Sequence, residues 1–141
     1  MLWNSSCNLE KNGMINKYLL DTNILIYYFY DEPEVQPIFD EIEAGDAEAF
    51  YSPISWVELL CYPALTEEQA NEMREFLRLI KCVSLTESVL DRAAKIRRDY
   101  RLKLGDGVIA ACALVEGCVL VTRNAKDFKR VDGLTILNPF D

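Results

Sequence analysis

Short apolar runs alternate with stretches of helical spacing along the chain, and that alternation restricts the fold more than any other feature. Tyr18-Leu19-Leu20 reads as a buried strand ending at Asp21, and Asn23 to Phe29 as the helix it feeds. Val35, Ile38, Phe39 and Ile42 keep helical spacing up to Gly45, and Ala49-Phe50-Tyr51 follows as a second strand. Ser55-Trp56-Val57-Glu58 has capping-box spacing and leads a short helix to its stop at Pro63, while Thr66 to Gln69 opens a helix running to about Ile80. Cys82 to Leu85 is the third strand, and Thr86 caps a helix carrying Val89, Leu90, Ala93 and Ile96. Asp106 heads a helix of small residues ended by Gly117, Cys118 to Val121 is the most apolar strand, and Leu134 to Leu137 is an edge strand before Pro139. Parallel neighbours need crossover helices, so the pattern predicts a single α/β domain with a mainly parallel central sheet flanked by helices. A chain of 141 residues encloses one such core. Residues 1–13 read as a disordered extension ahead of a domain over 14–141, with either Met1 or Met14 as the functional start.

Histidine is absent, which removes Ser-His-Asp and Cys-His nucleophiles and every His-containing metal site. Acid–base or metal chemistry must rest on carboxylates. The five cysteines form no CxxC pair and lie mostly in apolar stretches, as expected of thiols in a reducing cytoplasm. No apolar run approaches the roughly 20 residues that span a bilayer, so no membrane association is expected. The formal charge of −8 conceals a segregation: Tyr18 to Met73 holds thirteen Asp or Glu and no Lys or Arg, whereas from Arg74 onward thirteen Lys or Arg face nine acids. Basic residues gather around Arg98 and Arg101 and again at Arg123, Lys126, Lys129 and Arg130, two clusters able to hold a phosphate backbone or simply to solvate helix faces.

Ligands of parallel α/β sheets bind beyond the carboxyl ends of the strands. Asp21 follows the first strand, Glu58 lies one short helix after the second, Asp106 heads the small-residue helix, and Asn124 and Asp127 follow the fourth strand three apart. Each has a local explanation. Asp21 and Asp106 can cap helices, Glu58 can reach back to the Ser55 amide, and the Asn124–Asp127 turn can be ordinary surface. Recurrence at one topological place favours a site. Carboxylates gathered at one edge repel, and a hard divalent cation relieves them; oxygen ligands without His or Cys point to Mg²⁺ or Mn²⁺. Such ions support phosphodiester hydrolysis.

Leu20 to Leu25, Ser55 to Leu59, Leu102 to Ala111 and Val121 to Phe128, taken together and in this order, resemble the PIN-domain family and within it the VapC-like toxins. The resemblance covers about Lys17 to Pro139. It implies a PIN fold, a cytoplasmic Mg²⁺- or Mn²⁺-dependent endoribonuclease, the toxin of a type II toxin–antitoxin pair, forming a homodimer and neutralised by an antitoxin protein. On that basis Asp21 and Asp106 are the metal ligands, Glu58 the acid that positions water, and Asp127 the fourth acidic member. Thr22, Asn23 and Asn124 line the pocket, and Arg98, Arg101, Arg123 and Lys126 contact RNA. Many family members carry Asp where this chain has Asn124, a departure that Asp127 would have to offset.

Two other phosphoryl-handling classes fit less well. A haloacid-dehalogenase-like phosphatase needs a second Asp two residues after the first, and that position is Asn23. A phospho-acceptor receiver domain needs an acidic pair ahead of its Asp and a late lysine, and neither is placed here. The remaining alternative is a PIN-like scaffold that binds a protein or RNA without cleaving.

Overall fold

The computed structural model describes residues 15–141. The expected extension over residues 1–13 lies outside the described residues. Five parallel strands form one sheet in the order β3-β2-β1-β4-β5: β1 Asn16–Leu20, β2 Ala47–Tyr51, β3 Lys81–Cys82, β4 Val119–Val121 and β5 Ile136–Leu137. Seven α-helices accompany them: α1 Thr22–Phe29, α2 Gln36–Glu43, α3 Pro53–Leu60, α4 Glu67–Leu79, α5 Glu87–Tyr100, α6 Leu104–Glu116 and α7 Ala125–Phe128. The mainly parallel α/β sheet expected from the alternation is present.

Both faces of the sheet are covered, and the two-residue period of the strands divides the core. Tyr18 and Leu20 of β1, with Ala49 and Tyr51 of β2, face one cluster built from α1, α2 and α4, where Ile24, Tyr28, Phe39 and Phe76 pack. Leu19, Phe50 and Leu120 face the other, built from α5, α6 and α7 with Val89, Ile96, Ile109 and Phe128. Leu19, Leu20 and Leu120 are fully buried, each worth roughly 1.5–3 kcal/mol relative to an exposed side chain. Strand β1 is therefore the centre of the molecule, and its carboxyl end is fixed from both sides.

Helices α5 and α6 form a tight hairpin. A Cβ on Gly107 would lie 2.6 Å from Cγ of Arg97, so only a bare position lets α6 approach that close. The Arg97 Nε donates to the Leu102 carbonyl at 3.1 Å across the connection. Arg101 sits at φ +57°, turning the chain out of α5. Gly117, at φ +68°, ends α6 in the left-handed conformation that its residue type favours.

Two expected helix starts are corrected. Helix α3 begins at Pro53 with Ser52 as its cap, not at Ser55: the Ser52 hydroxyl accepts from the Ile54 amide at 3.2 Å. Proline lacks an N–H and has a fixed φ, which suits the first helical position and moves the start three residues upstream. Glu58 is consequently in mid-helix and does not close a capping box. Helix α6 begins at Leu104, so Asp106 lies in its first turn and caps nothing; Lys103 holds the cap position without a side-chain bond. Strands β3 and β5 are each two residues long rather than four, although single bonds such as Val83 N to Tyr51 O at 2.9 Å continue the pairing. Caps at Thr66 and Thr86 stand as expected, the former completed by Gln69.

Ser52 is fully buried as well as capping. Ser52→Ala should therefore lower unfolding stability by about 1 kcal/mol, whereas Ser55→Ala should not lose a helix cap; urea unfolding of both variants, followed by circular dichroism, measures the difference.

Candidate active site

The chain moves from β1 to β2 on one side and returns as β4 on the other, so β1 and β4 flank a topological switch point, the place beyond whose strand carboxyl ends ligands of such sheets bind. Asp21 sits at that point. Its amide donates to the Val121 carbonyl at 3.0 Å, extending the β1–β4 ladder by one residue, and its side chain is only 6% exposed. Oδ1 accepts from the Thr22 amide at 2.8 Å and Oδ2 from the Thr122 hydroxyl at 2.8 Å. Asp21 is thus both the cap of α1 and a buried acid.

Burial raises the Asp21 pKa to about 6, against the pull of its bonds from Thr122 and Thr22; the charges of Asp106 and Glu58 push in the same direction as burial. These three acids come from separate elements, yet they share one field. Asp106 is half-buried and has no hydrogen-bond partner for its carboxylate among the described residues. Its pKa is raised by burial first, then by Glu58 and Asp127, with Lys103 opposing. Charges that repel across a partly desolvated site favour proton or cation uptake.

Glu58 stands at the exposed rim. Its Oε1 accepts from the Thr22 hydroxyl at 2.6 Å, and the Thr22 and Ser55 hydroxyl oxygens are 2.8 Å apart. Thr22 has one hydroxyl proton, so its donation to Glu58 requires Ser55 to donate to Thr22. This chain orients Glu58 and leaves Oε2 without a hydrogen-bond partner among the described residues. Gly105 lies beside this oxygen: a Cβ there would be 3.4 Å from Glu58 Oε2, in ordinary contact.

On the opposite rim, Asn124 precedes the short helix α7, and its Nδ2 donates to Asp127 Oδ2 at 3.0 Å. The Asn124 amide donates to the Thr122 hydroxyl at 2.9 Å, linking this turn to Asp21 through one side chain. Asn124 therefore holds Asp127, where a carboxylate at 124 would repel it. Asn23 is exposed on α1. Arg98 and Arg101 lie exposed at the end of α5, Arg123 lies exposed just before α7, and Lys126 lies exposed on it.

Among the described residues no three carboxylate or thiolate groups close on a single point. One oxygen of Glu58 and one of Asp127 are engaged by Thr22 and Asn124, and mutual repulsion opposes tighter approach. The donor set nonetheless fits a hard divalent cation: it is all oxygen, it contains the unpartnered Asp106, and the pKa of its buried member is driven up by neighbouring acids.

Thr122 and Ser55 were not among the expected site residues. Thr122 follows β4 as Asp21 follows β1, and that equivalence of position was the available signal. Ser55 was read as a cap, which Pro53 displaced.

The PIN domain family model matches residues 18–134. Ribonuclease VapC2 of Rickettsia felis is 27% identical over 129 residues, covering 86% of this chain and 96% of that protein. A toxin-antitoxin complex from Klebsiella pneumoniae contains a chain that aligns with a TM-score of 0.74 at 31% identity, covering 88% of this chain and 98% of that one. The structure of VapBC2 from Rickettsia felis, bound to a DNA fragment from its promoter, aligns with a TM-score of 0.72 at 25% identity, over 86% of this chain and 98% of the matched one. With its sheet order, its acids around Asp21 and a family match spanning most of its length, the chain belongs to the PIN-domain family.

Proposed function

We propose that this chain is a metal-dependent endoribonuclease that hydrolyses RNA phosphodiester bonds as the toxin of a type II toxin–antitoxin pair, acting in the cytoplasm. The observation that carries the reading is the buried Asp21 at the β1–β4 junction, on which the charges of Asp106 and Glu58 both act. The relatives support it: the Rickettsia felis protein is a ribonuclease, and the Klebsiella pneumoniae structure is a toxin–antitoxin complex.

In this reading Asp21 and Asp106 hold Mg²⁺ or Mn²⁺, with Glu58 and Asp127 completing the acidic ring. When bound, the ion supplies charge stabilisation at the scissile phosphate and a more acidic water. Asp21 is kept in one orientation by Thr122 and the Thr22 amide. Glu58, gripped at Oε1 by Thr22, presents Oε2 to take a proton from the attacking water. Asp127, anchored by Asn124, adds negative charge at the far rim. Asn23 at the mouth of the pocket contacts substrate, and Arg98, Arg101, Arg123 and Lys126 bind the RNA backbone on either side. The partners are an antitoxin protein and a second copy of the chain. The noncleaving scaffold remains the competing reading, and the cleavage test decides between them.

Purified protein should cleave mixed RNA in Mg²⁺ or Mn²⁺ and stop when the ion is chelated, and Asp21→Asn should lose at least about a hundredfold in rate. Equal absence of cleavage by both proteins favours the scaffold. Asparagine is tolerated structurally, because its oxygen can accept from the Thr22 amide and Thr122 has a lone pair for its amide.

The raised Asp21 pKa also predicts a dependence of stability on pH. Because the folded state binds this proton more tightly than the unfolded chain, stability contributed by protonated Asp21 is present below about pH 4 and is lost as pH rises through about 6. The loss is on the order of 2–3 kcal/mol. Without divalent ions, Asp21→Asn should melt higher than the wild type at pH 7 and should show less of this decline. Added Mg²⁺ or Mn²⁺ should raise the melting temperature of the wild type alone. A wild-type melting curve indifferent to pH between 4 and 7 and to the ion contradicts this account.

Charge reversal of Arg98 and Arg101 together should weaken RNA binding and flatten its salt dependence, measured by titration in increasing KCl. Unchanged binding would return both to the status of solvated helix residues.

A further inference from the structure

Arg123 is the only residue between Thr122, which bonds Asp21, and Asn124, which bonds Asp127. Its side chain is exposed and yet well placed. The guanidinium carbon lies 4.1 Å from the ring centroid of Phe140 and 5.5 Å from that of Tyr27. Its Nη1 donates to the Tyr27 hydroxyl at 3.2 Å. The two rings meet edge to face with centroids 5.0 Å apart. The C-terminal segment fastens the assembly, since Asn138 Nδ2 donates to the Arg123 carbonyl at 3.3 Å and Asn138 Oδ1 accepts from the Phe140 amide at 2.9 Å.

The clamp satisfies the shape of the guanidinium but not its charge. Arg123 has no carboxylate partner among the described residues, in a chain of net charge −8 where acids are plentiful. Lys95, by contrast, is paired with Asp99. An arginine packed over the Phe140 ring and bonded to the Tyr27 hydroxyl has lost much of its rotamer freedom already, so an anion that binds it forgoes that ordering penalty. With Nη1 engaged by the Tyr27 hydroxyl, the remaining guanidinium N–H groups stay open to an anion. Tyr27 lies six residues beyond Asp21 on α1, a separation of about 9 Å along the helix axis, within two or three phosphate steps of a nucleic-acid strand.

We propose that Arg123, held between Phe140 and Tyr27, is a built subsite for a phosphate of the RNA flanking the scissile bond, and that the C-terminal segment Asn138–Phe140 belongs to the substrate-binding surface. Arg123 contacts the substrate; Tyr27, Asn138 and Phe140 position it. This rests on the ribonuclease reading above, and the test separates the two.

Binding of a labelled single-stranded RNA is measured in an Asp21→Asn background across a KCl series, and kcat and KM are measured with Asp21 intact. Arg123→Ala should weaken binding about five- to tenfold and lower the salt slope by roughly 0.7, the value for one phosphate on a single strand. Phe140→Ala should weaken binding about threefold, and Phe140→Tyr should restore it, since either ring can carry the cation. In active protein the same changes should raise KM while leaving kcat within about twofold. The subsite is overturned if Arg123→Ala leaves affinity and salt slope unaltered, whether or not it lowers the melting temperature. It is equally overturned if that variant abolishes capture of the antitoxin while RNA binding stays intact, which would assign the cation to an acid of the partner protein. Cleavage with an unchanged KM in Arg123→Ala refutes the subsite and spares the nuclease; RNA binding that depends on Arg123 without any cleavage by the wild type does the reverse.

Discussion

A carboxylate placed out of water at the junction of β1 and β4 organises this molecule. Asp21 is held there by the ladder bond of its own amide to Val121 and by two donors on its side chain, and these only partly offset the desolvation of its charge. Folding would be easier with a neutral residue at that point. The cost is tolerable because the surrounding strands are locked by apolar packing on both faces, with Leu19, Leu20, Leu120 and Val121 wholly removed from solvent. The stable sheet supports an electrostatically unfavourable edge, and that edge is where binding free energy can be gained.

The remaining acids differ in exposure around Asp21. Asp106 is half-buried, and Glu58 and Asp127 are at the rim, each tied by one oxygen to a neutral neighbour. Thr22 and Asn124 perform matching services on opposite sides: each donates to an acid and leaves the acid's second oxygen available. An amide at position 124 steadies Asp127, where a carboxylate there would repel it.

Much of this was legible in the order of residues. Strand and helix periods located every described strand to within a few positions, Thr66, Thr86 and Gly117 marked helix boundaries correctly, and the apolar run before Asp21 placed that acid at the carboxyl end of the central strand. Local spacing misled where two signals competed. Ser52 and Ser55 can each begin a helix, and only the fixed φ of Pro53 decides between them; choosing Ser55 assigned Glu58 a capping duty that it does not have. Asp106 likewise looked like a cap because the two positions of helix before it, Leu104 and Gly105, carry no capping signature. The position of Thr122 just after β4 was visible in the sequence, but its pairing with Asp21, 101 positions away, was not, because local pattern says nothing about contacts over that distance. The clamp on Arg123 is hidden for the same reason, since it joins α1, the β4 terminus and the last residues of the chain.

The bare position at Gly107 has a bearing on how this site tolerates change. Because α6 is pressed against the Arg97 stem at that point, the residue just before Gly107 is aimed by a helix–helix contact and not by any bond of its own. Bulk introduced on the buried side of the hairpin would lever the first turn of α6 outward and carry the Asp106 carboxylate with it. A buried residue of the hairpin seam thus governs where the Asp106 carboxylate stands relative to the other acids.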